Sequence, residues 1–172
     1  MLPEERVQQL LGGLGDRAVD LNSWFFTASD VRRAGSDLGL SEVEIDESLA
    51  IYEEKLIIEL EDNDEGQFVA GNLTDVGLDV YLQACRPSYP AEQVGVRRKL
   101  GEHLARETPD LTNLMLADDL DYPLLVVDHV LRIFARHGLL RIFGPGASAA
   151  GEVLIGSISP EIFAGRQLGY DP

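Results

Sequence analysis

The chain has 172 residues, 45% of them hydrophobic and 26% charged, enough for one good core or two small ones. Its formal net charge is -16, from thirty acids and fourteen bases, so its surface repels polyphosphate and anionic lipid and attracts basic partners. A single cysteine, Cys85, excludes an internal disulfide framework, and no apolar run approaches the roughly 18 residues that span a bilayer.

The leading segment predicts a helix over about Pro3 to Asn22. Its opening, MLPEERVQQLLGGL, lacks the basic start and long apolar core of a signal peptide, so a cytoplasmic protein is expected. SWFFT reads as a short strand. Thr27 and Asp30 in TASD are N-cap chemistry for a helix through about Leu38. Ser41 caps the next helix, with Glu44 three residues on as a capping box, and Ile45, Leu49 and Tyr52 step along one core face. A strand over 56–61, the turn EDNDEG and the strand QFVAG predict a hairpin, with Asp64 to Gly66 as its turn. Thr74 then caps a helix beginning LTDVGLDVYL. CRPSYPAEQ, with Pro87 and Pro90, reads as a linker.

The second half echoes the first. Setting Asp37 over Asp119 aligns DLGLSEVEIDESLAIYEEKLIIEL with DLDYPLLVVDHVLRIFARHGLLRI without a gap, and Val127, Leu131 and Phe134 take the places of Ile45, Leu49 and Tyr52. Each helix runs into a short strand, so the spacing predicts a tandem duplication. The second copy turns at Asp121-Tyr122-Pro123 and carries its hairpin tip in GPGASAAGE.

The order helix, strand, helix, turn, helix, hairpin resembles the winged-helix superfamily, through DLGLSEVEIDESLAIYEEKLI and the later GQFVAGNLTDVGLDVYL. The resemblance implies a mainly α protein with small β-hairpin wings (α+β) in two tandem winged-helix domains. Residues 1–86 form the first, 87–92 a linker, 93–160 the second and 161–172 a tail. In architecture alone the chain resembles tandem acidic winged-helix proteins of similar length, such as segregation and condensation protein B and the smallest ESCRT-II subunit.

Where winged helices read DNA, the second helix of the motif enters the major groove and Lys and Arg neutralise phosphates. Here the segment Glu42 to Glu65 holds eleven acids and one base, Lys55. An isolated Glu can read a cytosine amino group, but a whole acidic face opposes a phosphate lattice. Glu42, Asp46, Glu47, Glu53 and Glu54 are therefore expected to form an interaction face for a protein partner, a basic one for preference. PLLVVDHVLRIFARH in the second copy is apolar nearly all round. Val126, Val130 and Ile133 lie beside its core stripe; such a helix is normally buried, against the first domain or its own tail, and otherwise the stripe predicts a seam for a homodimer or another partner.

The alternative is a dimeric winged-helix transcription regulator that touches phosphate through Arg97, Arg98, Lys99 and Arg106. His103, His129 and His137 lack zinc-site spacing, and Cys85 has no histidine near it. Asp118, Asp119 and Asp121 lack a calcium loop's spacing, and the Gly-rich stretches lack a P-loop lysine. No catalytic residue, metal ligand or cofactor is assigned, and the chain is expected to act without catalysis. The uneven acidity (19 acids and 6 bases in residues 1–88, 11 and 8 in 89–172) would also suit a salt-loving source.

Overall fold

Leu10, Leu11, Leu14 and Ala18 recur on one face of the leading segment, and it forms α1 (Glu4–Leu21) with all four buried. In the computed structural model, residues 4–106, 111–144 and 151–164 are described. The chain divides between Pro87 and Ser88 into two units, each with its own core.

In the first unit α1 leads into β1 (Phe25–Thr27), α2 (Ala28–Asp37) and α3 (Glu42–Glu54). Strands β2 (Ile58–Asp62) and β3 (Phe68–Leu73) follow, then α4 (Asp75–Cys85). The caps form as the sequence predicts. The Thr27 hydroxyl accepts from the Asp30 N–H while the Asp30 carboxylate accepts from the Thr27 N–H at 2.8 Å. Ser41 and Glu44 make the same reciprocal pair at the start of α3. Thr74 caps α4 by accepting from the Gly77 N–H at 2.9 Å. At Gly77 the Ile57 carbonyl comes so close that any Cβ would collide with it, which is why this turn of α4 needs glycine.

The sheet order is β1-β3-β2, antiparallel throughout, so the strand between the first two helices joins the far side of the hairpin. A register shift between Glu61 and Asp62 bends the hairpin near its tip. Ile45, Leu49 and Tyr52 of α3 are buried, and the Tyr52 hydroxyl donates to the Val7 carbonyl on α1. Burial raises the Tyr52 phenol above its ordinary range. Helix α4 packs on α1, where the Tyr81 hydroxyl donates to Asp16 at 2.6 Å.

The second unit runs α5 (Tyr89–Arg106), β4 (Leu111–Thr112), α6 (Asn113–Leu120), α7 (Leu124–Arg136), β5 (Leu140–Phe143) and β6 (Leu154–Ile158), closing with a 3-10 turn at Pro160–Ala164. Its antiparallel sheet has the order β4-β6-β5. Both units thus present helix, strand, helix, helix and two strands, with the first and second strands flanking the third.

The backbone correspondence is close. Helices α3 and α7 differ by 82 residue numbers at both ends. After α3, Leu56 takes φ 57 and the Ile57 N–H reaches back to the Tyr52 carbonyl. After α7, Gly138 takes φ 70 and the Leu139 N–H reaches back to the Phe134 carbonyl. Gly39 (φ 68) and Asp121 (φ 54) close α2 and α6 in the same way.

Two expectations are corrected. The residues read as a linker, 87–92, are helical from Tyr89 onward, because Tyr89, Glu92 and Gln93 are buried against the unit that follows. The stripe Val126, Val130 and Ile133 is not a surface: these side chains are 0%, 0% and 1% exposed. Helix α7 packs against α5, α6 and β5, so neighbours of its own unit cover both of its apolar stripes. These three residues are core and offer no dimer seam. The hairpin tip at 145–150 and the tail at 165–172 lie outside the described residues.

Candidate acidic groove

The outer face of α3 follows from its capping. Glu44 is used locally: it accepts from both the N–H and the hydroxyl of Ser41 and meets Arg6 at 3.1 Å. The Ser41 hydrogen bonds, with help from Arg6, hold its carboxyl below the ordinary range. Glu42 faces Arg32 at 3.5 Å, both side chains well exposed. The other nine acids between Glu42 and Glu65 meet no cation within 4 Å among the described residues. Glu42, Asp46, Glu47, Glu53 and Glu54 are all exposed, while Ile45, Leu49 and Tyr52 fill the core beneath them. The hairpin continues the acidic surface through Glu59, Glu61, Asp62, Asp64 and Glu65, all exposed. Asn63 holds its tip by accepting from the N–H groups of Glu65 and Gln67, and Gly66 supplies the positive φ of 72 that the turn requires.

A groove of about 720 Å³ is lined by α2, α3 and the hairpin, with Asp46 and Asp62 as its acids. The start of α2 contributes Ala28 and Arg32, α3 contributes Asp46 over Ile45 and Leu49, and the hairpin contributes Asp62, Gln67 and Val69. Sequence reading found the acids but missed Ala28, Gln67 and Val69, which come from separate elements and carry no charge or motif. A second cleft of about 470 Å³ separates α1 from α2, where Arg17 and Arg33 sit among Asp16, Asp20, Asp30 and Asp37. Arg17 is bound to Asp30 there at 2.9 Å.

Arg97, Arg98 and Lys99 each meet a neighbour in their own unit. The Arg97 guanidinium lies 5.4 Å from the centre of the Phe134 ring. Arg98 faces Glu102 at 4.0 Å, and Lys99 meets Asp119 at 2.9 Å. The Arg106 side chain lies outside the described residues. His129 is 1% exposed, its ring 6.2 Å from that of Tyr89. Among the described residues no three His, Cys, Asp or Glu side chains group as a metal site. Burial pushes the Cys85 thiol above its ordinary range, away from a reactive thiolate. No described helix is long and apolar enough to cross a membrane.

Compared with protein-family models, curated proteins and solved structures, the chain matches none.

Proposed function

We propose that the chain is a tandem winged-helix protein that arose by internal duplication and acts without catalysis, docking a basic protein partner on α3 and the β2–β3 hairpin. The winged-helix reading is supported by the shared element order, the strand order of both sheets and the matching helix ends. The observation that carries the docking reading is charge: eleven acids oppose Lys55 from Glu42 to Glu65, on the surface a DNA-reading winged helix would turn toward phosphates. Direct DNA reading has less support, since Arg97, Arg98 and Lys99 all engage partners within their own unit.

Random duplex DNA is expected to bind no tighter than about 10⁻⁴ M at physiological salt, the weak end of non-specific affinity. A micromolar, salt-sensitive gel shift overturns the docking reading. Replacing Glu42, Asp46 and Glu53 by lysine should leave helical circular dichroism intact and weaken capture of basic proteins identified by mass spectrometry. Equal capture by the triple variant would reduce the acidic face to a solubility feature.

A further inference from the structure

The two units treat one shared position of their pattern in opposite ways. Asp46 on α3 and Asp128 on α7 lie 82 residues apart, as do the ends of their helices. Asp128 is 6% exposed, and both of its oxygens are used. Arg132, one helical turn on, donates from Nε to Oδ2 at 2.7 Å, and Asn113 donates from Nδ2 to Oδ1 at 3.3 Å. Asn113 also donates to the Gly151 carbonyl and accepts from the Val153 N–H, which ties the base of the second hairpin to the start of α6. A guanidinium and an amide therefore fill the space between α6, α7 and the hairpin.

The caps and the strand registers locate the equivalents in the first unit. Thr27 caps α2 and pairs with Ala70, and Thr112 caps α6 and pairs with Leu154. Ala28 thus stands where Asn113 stands, and Gln67 and Val69 stand where Gly151 and Val153 stand. Position 50, one turn beyond Asp46, is Ala50, exposed, in place of Arg132. Two alanines replace the two side chains that satisfy Asp128. Ala28 lines the groove, and Asp46, exposed within it, meets no cation among the described residues.

We propose that this groove takes an arginine from a basic segment of a protein partner, its guanidinium lying over Asp46 as that of Arg132 lies over Asp128. The proposal rests on the docking reading above and names its chemistry. A planar guanidinium binds a carboxylate through paired donors, which an ammonium cannot reproduce. The acids flanking Asp46 on α3 and the hairpin complement the basic residues on either side of the arginine. Arg32, which also lines the groove, meets Glu42 at 3.5 Å and lies beyond ion-pair distance of Asp46.

The test uses fluorescein-labelled nona-arginine and nona-lysine, equal in charge, in anisotropy titrations against the full chain. Three variants each make the protein one unit less negative: Asp46→Asn removes the acceptor, Ala50→Arg supplies the chain's own arginine, and Glu102→Gln changes an exposed acid of the second unit. Ala50 is exposed, so its replacement leaves the core untouched, and circular dichroism checks each fold. The wild type should prefer nona-arginine. Asp46→Asn and Ala50→Arg should both weaken it roughly tenfold and erase the preference, while Glu102→Gln stays within about twofold of wild type. Equal affinity for the two peptides, undiminished binding by Ala50→Arg, or an equal loss with Glu102→Gln overturns the arginine slot but leaves a general acidic docking face standing. No binding of either peptide overturns both.

Discussion

Removing Arg132 tests whether the buried polar cluster of the second unit is a closed circuit. Its side chain and that of Asp128 are 11% and 9% exposed, and Nε lies 2.7 Å from Oδ2. With Arg132→Leu, the Asp128 carboxylate keeps, among the described residues, the 3.3 Å amide of Asn113 in a site largely closed to water. Breaking one partner out of a buried pair costs about 3–5 kcal/mol, because the remaining charge is left desolvated. Replacing both, as in Asp128→Ala with Arg132→Leu, removes that charge and should cost clearly less than the sum of the single changes. At the usual urea dependence of about 1–3 kcal/mol per molar, a 3 kcal/mol loss moves a midpoint by at least about 1 M. Trp24, the only tryptophan, lies in the first unit, so its fluorescence follows that unit while far-ultraviolet circular dichroism follows both. The Arg132→Leu loss should appear in the dichroism melt of the second unit. A loss under about 1 kcal/mol, or a double variant whose loss equals the sum of the singles, refutes the buried-pair reasoning.

The burial of Val130 leads us to expect that Val130→Glu abolishes the helical signal of the second unit, since an unpaired carboxylate would enter a site with 0% exposure; a soluble variant with wild-type dichroism would contradict its core position. Gly138→Ala should destabilise by about 1 kcal/mol in a urea melt, because alanine must adopt φ 70 while only part of that strain is offset by a stiffer unfolded chain. Nothing lies within 4 Å of the added Cβ, so an unchanged midpoint would refute the backbone argument itself. At Asp30, burial pushes the carboxyl upward, but the hydroxyl and N–H of Thr27 together with Arg17 outweigh it, and its titration lies below the ordinary range. A depressed carboxyl contributes stability that is complete above its unfolded value, about pH 4, and lost as the pH falls through its folded value. Asp30→Asn should therefore flatten the acid limb of the first unit's stability profile, and an unaltered limb would refute the assignment.

Much of this protein is decided within a few residues of chain. Thr27, Ser41 and Thr74 start helices in the structure as they do on paper, because a cap needs only its own side chain and the next three N–H groups. The step from Ile45 through Leu49 to Tyr52, matched by Val127, Leu131 and Phe134, marks the core face of each helix, and all six side chains are buried. The acids of α3 other than the capping Glu44 are exposed because that same step leaves no other face for them. Periodicity does not count neighbours, however. It shows that Val126, Val130 and Ile133 form a second stripe, and only the packing of α5, α6 and β5 around α7 decides that this stripe is core. Strand β4 was illegible for a related reason: two residues, Leu111 and Thr112, become a strand only by pairing with Ile155 and Leu154 more than forty positions away. The groove is the least local feature. Its lining brings Ala28 of α2 and Gln67 and Val69 of the hairpin beside Asp46 of α3, and neutral side chains on separate elements announce nothing until the fold gathers them.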